Sequence, residues 1–233
     1  MPRIPLVEEL TKGSIPPGSA LMVEFMGASQ WFNASLTIAA GWITTGGKVA
    51  YSTYAQPPDD VRTKLKQLGL DTEKLEREDA LRILDWYTIT LGQKPTGKRA
   101  LSSLKVADLS LDFSQTQMRG PPVPELLRIS DNNSVIARFN DEKAWVEFRL
   151  TRGIPLARKS KSTGIAGVLK GVHSNWAYEH LESASDGVID FELDATKDPP
   201  INLIRIRSIK NAPYDGRWHT VKIGENLEVT LDK

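Results

Sequence analysis

Ala20-Leu-Met-Val-Glu-Phe25-Met-Gly27-Ala-Ser-Gln30-Trp31-Phe32-Asn33-Ala34-Ser35 is the stretch whose reading decides the fold. Six residues, five of them apolar, run without the alternation of a half-exposed strand, so Ala20–Phe25 reads as a strand covered on both faces. Gly27 follows at once as a turn residue. From Asn33 to Trp42 the apolar positions fall on one face at helical spacing, and Gly46-Gly47 closes that segment. A second short strand, Lys48–Thr53, comes next. Strand, tight glycine turn, helix and strand in this order make a parallel βαβ unit.

Outward from that unit the same alternation continues. Pro57-Pro58-Asp59-Asp60 opens a helix running to about Gly69, with its acidic residues at the positive end. Trp86–Leu91 and Leu104–Phe113 have strand character, joined by a Gly/Lys/Pro loop from Gly92 to Arg99. Ser114–Pro124 is a polar, proline-rich connection, and Leu126–Ser130 is a strand ending in Asp131-Asn132-Asn133. A long helix is expected from Asp141 to about Lys161, bent near Gly153 and Pro155. Gly164–Val172 reads as a strand and Ala177–Ala184 as a short helix. After Asp186 the texture changes to four strands joined by turns: Val188–Leu193, Asn202–Lys210, His219–Ile223 and Leu227–Leu231. They extend the same sheet in antiparallel fashion, so residues 1–233 are expected to form one domain, with a core of about 13–193 and a strand extension of about 194–233.

Bulk composition narrows the classes. The 233 residues are 40% apolar and 25% charged, the balance of an ordinary globular chain. Thirty Lys plus Arg against 29 Asp plus Glu leave a net charge of +1, which calls for no polyanionic partner. Absence of cysteine removes disulfides, thiolate metal sites and cysteine nucleophiles. The three histidines form no HExxH pair, and no metal is assigned. Met1-Pro2-Arg3-Ile4-Pro5 lacks the apolar run of a signal peptide, and the stretch around Leu36–Ile43 is too short to span a bilayer, so a cytoplasmic protein with no membrane role is expected.

In order and spacing the chain resembles the KaiC-like branch of the RecA superfamily of P-loop ATPases over nearly its full length. Gly13-Ser-Ile-Pro-Pro-Gly18 resembles the lead-in before the first core strand, and Gly46–Thr53 the second core strand. Leu127-Arg-Ile-Ser-Asp131 resembles a Walker B strand. Gly171-Val-His-Ser174, then Leu181-Glu182 and Ser185-Asp-Gly-Val-Ile189, resemble the late stretch ending in DGVI. The resemblance implies an α/β, RecA-like, mainly parallel twisted sheet flanked by helices, with an antiparallel C-terminal extension. It also implies an ATP and Mg²⁺ site in the turn after the first strand.

A P-loop works because backbone N–H groups wrap the phosphates, a lysine reaches the β/γ oxygens and a Ser/Thr hydroxyl binds Mg²⁺. With Gly27 on the motif's first glycine, Gln30 and Phe32 take the later glycine positions, Asn33 the lysine and Ala34 the metal hydroxyl. Ser35 offers a hydroxyl one position late. Trp31 and Phe32 place bulk where phosphates would lie. The glutamates expected after the second strand are replaced by Tyr54-Ala55-Gln56-Pro57. Asp131 alone keeps a Walker B position, and it reads equally well as a strand-end cap. Of the K-x-R pair that the family presents to a neighbouring subunit's γ-phosphate, Lys210 matches the first position and Ala212 occupies the second.

Arg158, Lys159 and Lys161 form a small basic cluster at a helix C-terminus. Dipole complementarity accounts for it about three times as readily as a nucleic-acid contact, because no aromatic residues interleave it. His173 and Asp131 could approach each other at strand ends without making a metal site. The sequence therefore points to a catalytically inactive relative, with no cofactor, acting as a binding, regulatory or assembly module on a protein partner, either itself or an active RecA-like relative. The alternatives are an ATP- and Mg²⁺-binding protein with residual hydrolysis, using Asp131 and Ser35, and a RecA-like nucleic-acid binder.

Overall fold

The computed structural model describes residues 3–11, 13–95, 103–112 and 123–232. Nine strands form a single sheet in the order β3-β2-β4-β5-β1-β6-β7-β8-β9. They are β1 (Ala20–Phe25), β2 (Lys48–Thr53), β3 (Leu81–Asp85), β4 (Leu126–Ser130), β5 (Thr163–Leu169), β6 (Gly187–Asp194), β7 (Ile201–Ile209), β8 (His219–Ile223) and β9 (Val229–Leu231). The first six in sheet order are parallel, and β7, β8 and β9 continue antiparallel from β6. β1 lies in the middle with all six residues buried, as its unbroken apolar run requires.

The helices are α1 (Trp31–Thr44), α2 (Pro58–Gln67), α3 (Thr72–Arg77), α4 (Tyr87–Thr90), α5 (Val106–Asp112), α6 (Glu142–Phe148), α7 (Ile154–Ser160) and α8 (Asn175–Ala184). α1 and α2 bury Leu36, Ile38, Val61 and Leu65 in the core on one face of the sheet, while α5, α6 and α8 bury Leu109, Trp145 and Leu181 on the other. Chain order after β1 leads through α1 to β2, and after β5 through α8 to β6, on opposite sides of β1. The strand order thus reverses at β1, where open α/β sheets commonly receive ligands at the carboxyl ends of the strands.

Most segments stand where the sequence puts them, β2, β4 and β8 to the residue. Two do not. The expected strands at Trp86–Leu91 and Leu104–Phe113 are the helices α4 and α5, and the edge strand is β3, five residues earlier. Capping side chains, one local and one distant, decide this. Asp85 accepts the Thr88 N–H (2.9 Å) to start α4. Asn140 accepts the Val106 N–H (2.8 Å) and donates to the Leu104 carbonyl (2.9 Å) to start α5. Residues 96–99 of the Gly92–Arg99 loop, and 114–122 of the proline-rich connection, lie outside the described residues. The long helix is interrupted where a bend was expected: one turn of π-helix, Arg149–Gly153, separates α6 from α7, ahead of Pro155.

β1 and β6 would repel each other without compensation. Their register sets Glu24 beside Asp190, both almost wholly buried. Two arginines of β7 neutralise the pair. Arg205 Nε meets Asp190 Oδ2 at 2.7 Å, and Arg207 reaches Glu24 (2.9 Å), Glu182 of α8 (2.8 Å) and Asp190. Burial alone would raise Asp190, but the hydrogen bonds from Arg207 and Arg205 outweigh it and hold its carboxyl below the ordinary 3.8. For Glu24 burial prevails over Arg207, with Glu182 adding to the rise, so its carboxyl lies above 4.5. Asp190 thus contributes stability above pH 3.8 that is lost as pH falls through its lower folded value. Glu24 has the opposite sign, its contribution fading as pH rises through its raised value.

Arg207→Met should lower the unfolding free energy by about 3 kcal/mol, because it strands the buried Glu24 carboxylate and leaves Asp190 with Arg205 alone. The loss should be smaller at mildly acid than at mildly alkaline pH, since Glu24 then takes up a proton. Urea denaturation at the two pH values checks both, and equal losses would contradict the assignment.

Candidate functional site

The turn after β1 is built by hydrogen bonds to neighbouring strands. Met26 N–H donates to the Phe191 carbonyl (3.0 Å), Ser29 N–H returns to Met26 (2.9 Å), and Gln30 N–H is taken by Asn202 Oδ1 of β7 (2.9 Å). α1 then begins at Trp31, two residues ahead of the expected start. Gly27 remains exposed on the turn.

Trp31 turns inward and is 3% exposed. Its ring lies against Phe25 and Phe191, with centroids 6.2 and 6.1 Å away, and its Nε1–H donates to the Asp131 carbonyl at 2.7 Å. Gly167 on β5 makes this possible. A Cβ there would stand 2.5 Å from the indole nitrogen and 2.3 Å from the Asp131 oxygen. The structure therefore brings Trp31 and Asp131 together, at a site floored by a glycine that no local sequence pattern singles out.

The remaining turn residues are engaged internally. Asn33 Nδ2 donates to Gln30 Oε1 (2.6 Å), and its Oδ1 accepts from Lys64 Nζ of α2 (3.1 Å). Lys64 also lies 5.7 Å from the Phe32 ring centroid. A cation thus stands beside the position where a P-loop carries its lysine, supplied from α2. It escaped sequence reasoning because only the packing of α2 on α1 reveals it. Ala34 and Ser35 are fully buried. The Ser35 hydroxyl bonds the Phe32 carbonyl and the Tyr51 hydroxyl, each at 2.7 Å, so it faces the core and not the turn.

Asp131 is 2% exposed. Its Oδ1 accepts from Tyr54 N–H (2.8 Å) and Asn132 N–H (2.6 Å), and Oδ2 from Ala55 N–H (3.2 Å). Burial raises its carboxyl to about 6 against the pull of these donors. It pins the segment after β2 to the end of β4, as a strand-end cap does. His173 packs on Trp145, centroids 4.4 Å apart, with Nδ1 at 3.2 Å from Glu142. Among the described residues no group of three His, Asp or Glu is placed to hold a metal ion.

The basic residues gather elsewhere. Arg158 bonds the Ala184 carbonyl (2.9 Å) and Asp186 (3.0 Å), and Lys210 Nζ bonds the Ser183 carbonyl (2.7 Å). Both cations cover the C-terminal carbonyls of α8, where the helix dipole favours them. Lys159 and Lys161 are exposed, with Lys161 in a left-handed conformation that ends α7. Lys210 follows β7 at the end that pairs with the start of β6, away from the turn after β1.

Comparison with family models and with curated proteins gives no match. Among solved structures, the KaiC-like protein of the hyperthermophilic archaeon Pyrococcus horikoshii superposes with a TM-score of 0.73, over 100% of this chain and 97% of that one, at 17% identity. The fold is that of a KaiC-like RecA domain. Its mainly parallel sheet, flanking helices and antiparallel strands agree with the architecture expected from the sequence. Within this KaiC-like fold the turn after β1, the end of β4 and the glycine of β5 form one packed unit.

That unit should show strong coupling. Trp31→Phe should cost about 1–2 kcal/mol, by leaving the Asp131 carbonyl without its donor. Gly167→Ala should cost about 3 kcal/mol or more, because both atoms crowding the new methyl are held rigidly. In a urea-denaturation cycle, Gly167→Ala combined with Trp31→Leu should lose less than the sum of the two single losses. Strict additivity would contradict the contact.

Proposed function

We propose that this chain is a RecA/KaiC-type domain without ATP hydrolysis, serving as a binding, regulatory or assembly module. The observation that carries the reading is Trp31, whose indole fills the space between the turn after β1 and the end of β4 and bonds the Asp131 carbonyl. Three further features support it. The Asp131 carboxylate is occupied by backbone N–H groups, the Ser35 hydroxyl is committed to Tyr51, and no carboxylate stands at Tyr54–Pro57. Charge-assisted contacts to phosphate contribute roughly 1.5–3 kcal/mol each. A turn without the motif's lysine, metal hydroxyl and later glycines forgoes several of them.

In this reading the chain takes no cofactor, and its partner is a protein: a second copy or an active RecA-like relative. Arg158 and its ion pair with Asp186 weaken the nucleic-acid alternative, since they withdraw one of three cations from the cluster. No helix among the described residues is long and apolar enough to cross a membrane. A second reading, nucleotide binding without efficient hydrolysis, draws its support from Lys64. Its ammonium lies beside Asn33 and substitutes for the missing lysine charge.

Thermal denaturation separates the two. Millimolar ATP–Mg²⁺ should leave the melting temperature unchanged, whereas a ligand at 100 times its Kd would stabilise by about 2.7 kcal/mol. Asn33→Lys with Ala34→Thr should restore neither binding nor ATPase activity, because Trp31 and Phe32 remain. A dose-dependent upward shift that disappears in Lys64→Met would establish the second reading instead. Light scattering should show either self-association insensitive to ATP or a monomer that an active RecA-like relative captures, and assembly induced by ATP would refute the proposal.

A further inference from the structure

On the face of the sheet away from α1, mostly small side chains come into register across four strands. Ala50, Gly164 and Ala20 share one cross-strand row with Arg128, and Ser52, Ser130 and Ala166 share the next with Met22. Small residues at the centre of a sheet leave space unless the opposite layer fills it. Here α6, the π-turn and α7 span above without filling it, and a cavity of about 100 Å³ remains. That is room for several waters or a small organic molecule. Its upper walls are Phe148, Ile154 and Leu156, and one end is closed by Tyr54 and Trp86, stacked with centroids 5.2 Å apart.

The charge of this cavity is one-sided. Arg128 and Arg149 line it, and its described lining includes no carboxylate. Arg128 is engaged with the Ser162 hydroxyl at 2.9 Å. The Arg149 side chain forms no hydrogen bond or ion pair among the described residues, and its guanidinium rests on Gly153, where a Cβ would lie 3.0 Å from Nη1. Burial depresses its pKa, offset in part by Tyr54. A second donor is orphaned at the same cavity: Trp86, 3% exposed, has an indole N–H without an acceptor. The half-buried Arg149 guanidinium is a charge without a counter-ion, the buried Trp86 N–H is a donor without an acceptor, and an anion suits both.

We propose that this cavity is a binding site for a small organic anion. Its carboxylate or phosphate head is held by Arg149, with the Trp86 N–H as a further donor, and its apolar body lies among Phe148, Ile154 and the Tyr54–Trp86 pair. The site is separate from the turn after β1 and independent of whether that turn reads nucleotide.

Benzoate, phenyl phosphate, inorganic phosphate and the neutral benzamide test this by calorimetry and thermal denaturation on the whole chain. Benzoate or phenyl phosphate should bind and raise the melting temperature, and the stronger of the two identifies the head group. Benzamide and inorganic phosphate should bind at least about tenfold more weakly, lacking the charge or the body. Arg149→Met should weaken binding by roughly ten- to a hundredfold without lowering the melting temperature of the unliganded protein. Trp86→Phe should weaken it several-fold. If Arg149→Met does not fold, Arg149→Lys provides the same test, keeping the charge and losing the planar fork, with weaker binding expected. The proposal is overturned if no probe binds the unmodified chain at millimolar concentration, which would leave a water-filled cavity. Equal binding by the Arg149 variant would overturn it too.

Discussion

The hydrogen bond from Trp31 Nε1 to the Asp131 carbonyl joins the first strand–helix turn to the end of β4, over a glycine of β5. Three consecutive elements of the parallel sheet meet in that contact. In an open α/β sheet this is the place where the backbone leaves room for a ligand, because loops on either side of the switch point diverge. Here an aromatic side chain fills it. The indole buries a large apolar surface against Phe25 and Phe191 and satisfies its one polar atom, which is what a buried tryptophan needs.

Filling the turn has consequences along the strands. Asp131 lies at the end of β4, and its carboxylate gathers the Tyr54 and Ala55 N–H groups after β2, so the two strand ends are fixed to each other by a side chain. The Tyr51 hydroxyl, one strand over, is fixed by Ser35 from α1. These are neutral or shielded contacts in a dry environment, where each is stronger than in water and where an unmade one would be costly. The other side of β1 uses a different solution. Glu24 and Asp190 are buried in adjacent strands, and two arginines from the antiparallel extension neutralise them. The extension thereby contributes to the electrostatics of the central strand as well as to the width of the sheet.

Local pattern made much of this legible. β1 reads as a buried strand because its apolar run is continuous, and the bend near Gly153 and Pro155 follows from backbone chemistry confined to a few residues. The turn Gly27–Ser35 is also local, so the identities of Gln30, Phe32, Asn33 and Ala34 there can be read directly. α4 and α5 were not legible. Their aromatic and aliphatic residues favour strands, and the caps that fix them as helices are Asp85 and the distant Asn140. β3 was missed for the complementary reason: as an edge strand with partly exposed, polar residues it lacks a buried run.

What the sequence determined by itself was the order of elements, the parallel core with its antiparallel continuation, and the chemistry absent from the turn after β1. Each depends on residues within one or two turns of each other, whose spacing and backbone preferences act before the chain folds. What only the tertiary structure decided was which groups meet. Trp31 meets Asp131 from 100 residues away. Lys64 comes to Asn33, Arg207 to Glu24, and Arg149 to a cavity floored by four strands. Helix packing and strand register set those contacts, and a one-residue slip of β7 alone would send Arg207 to the other face of the sheet.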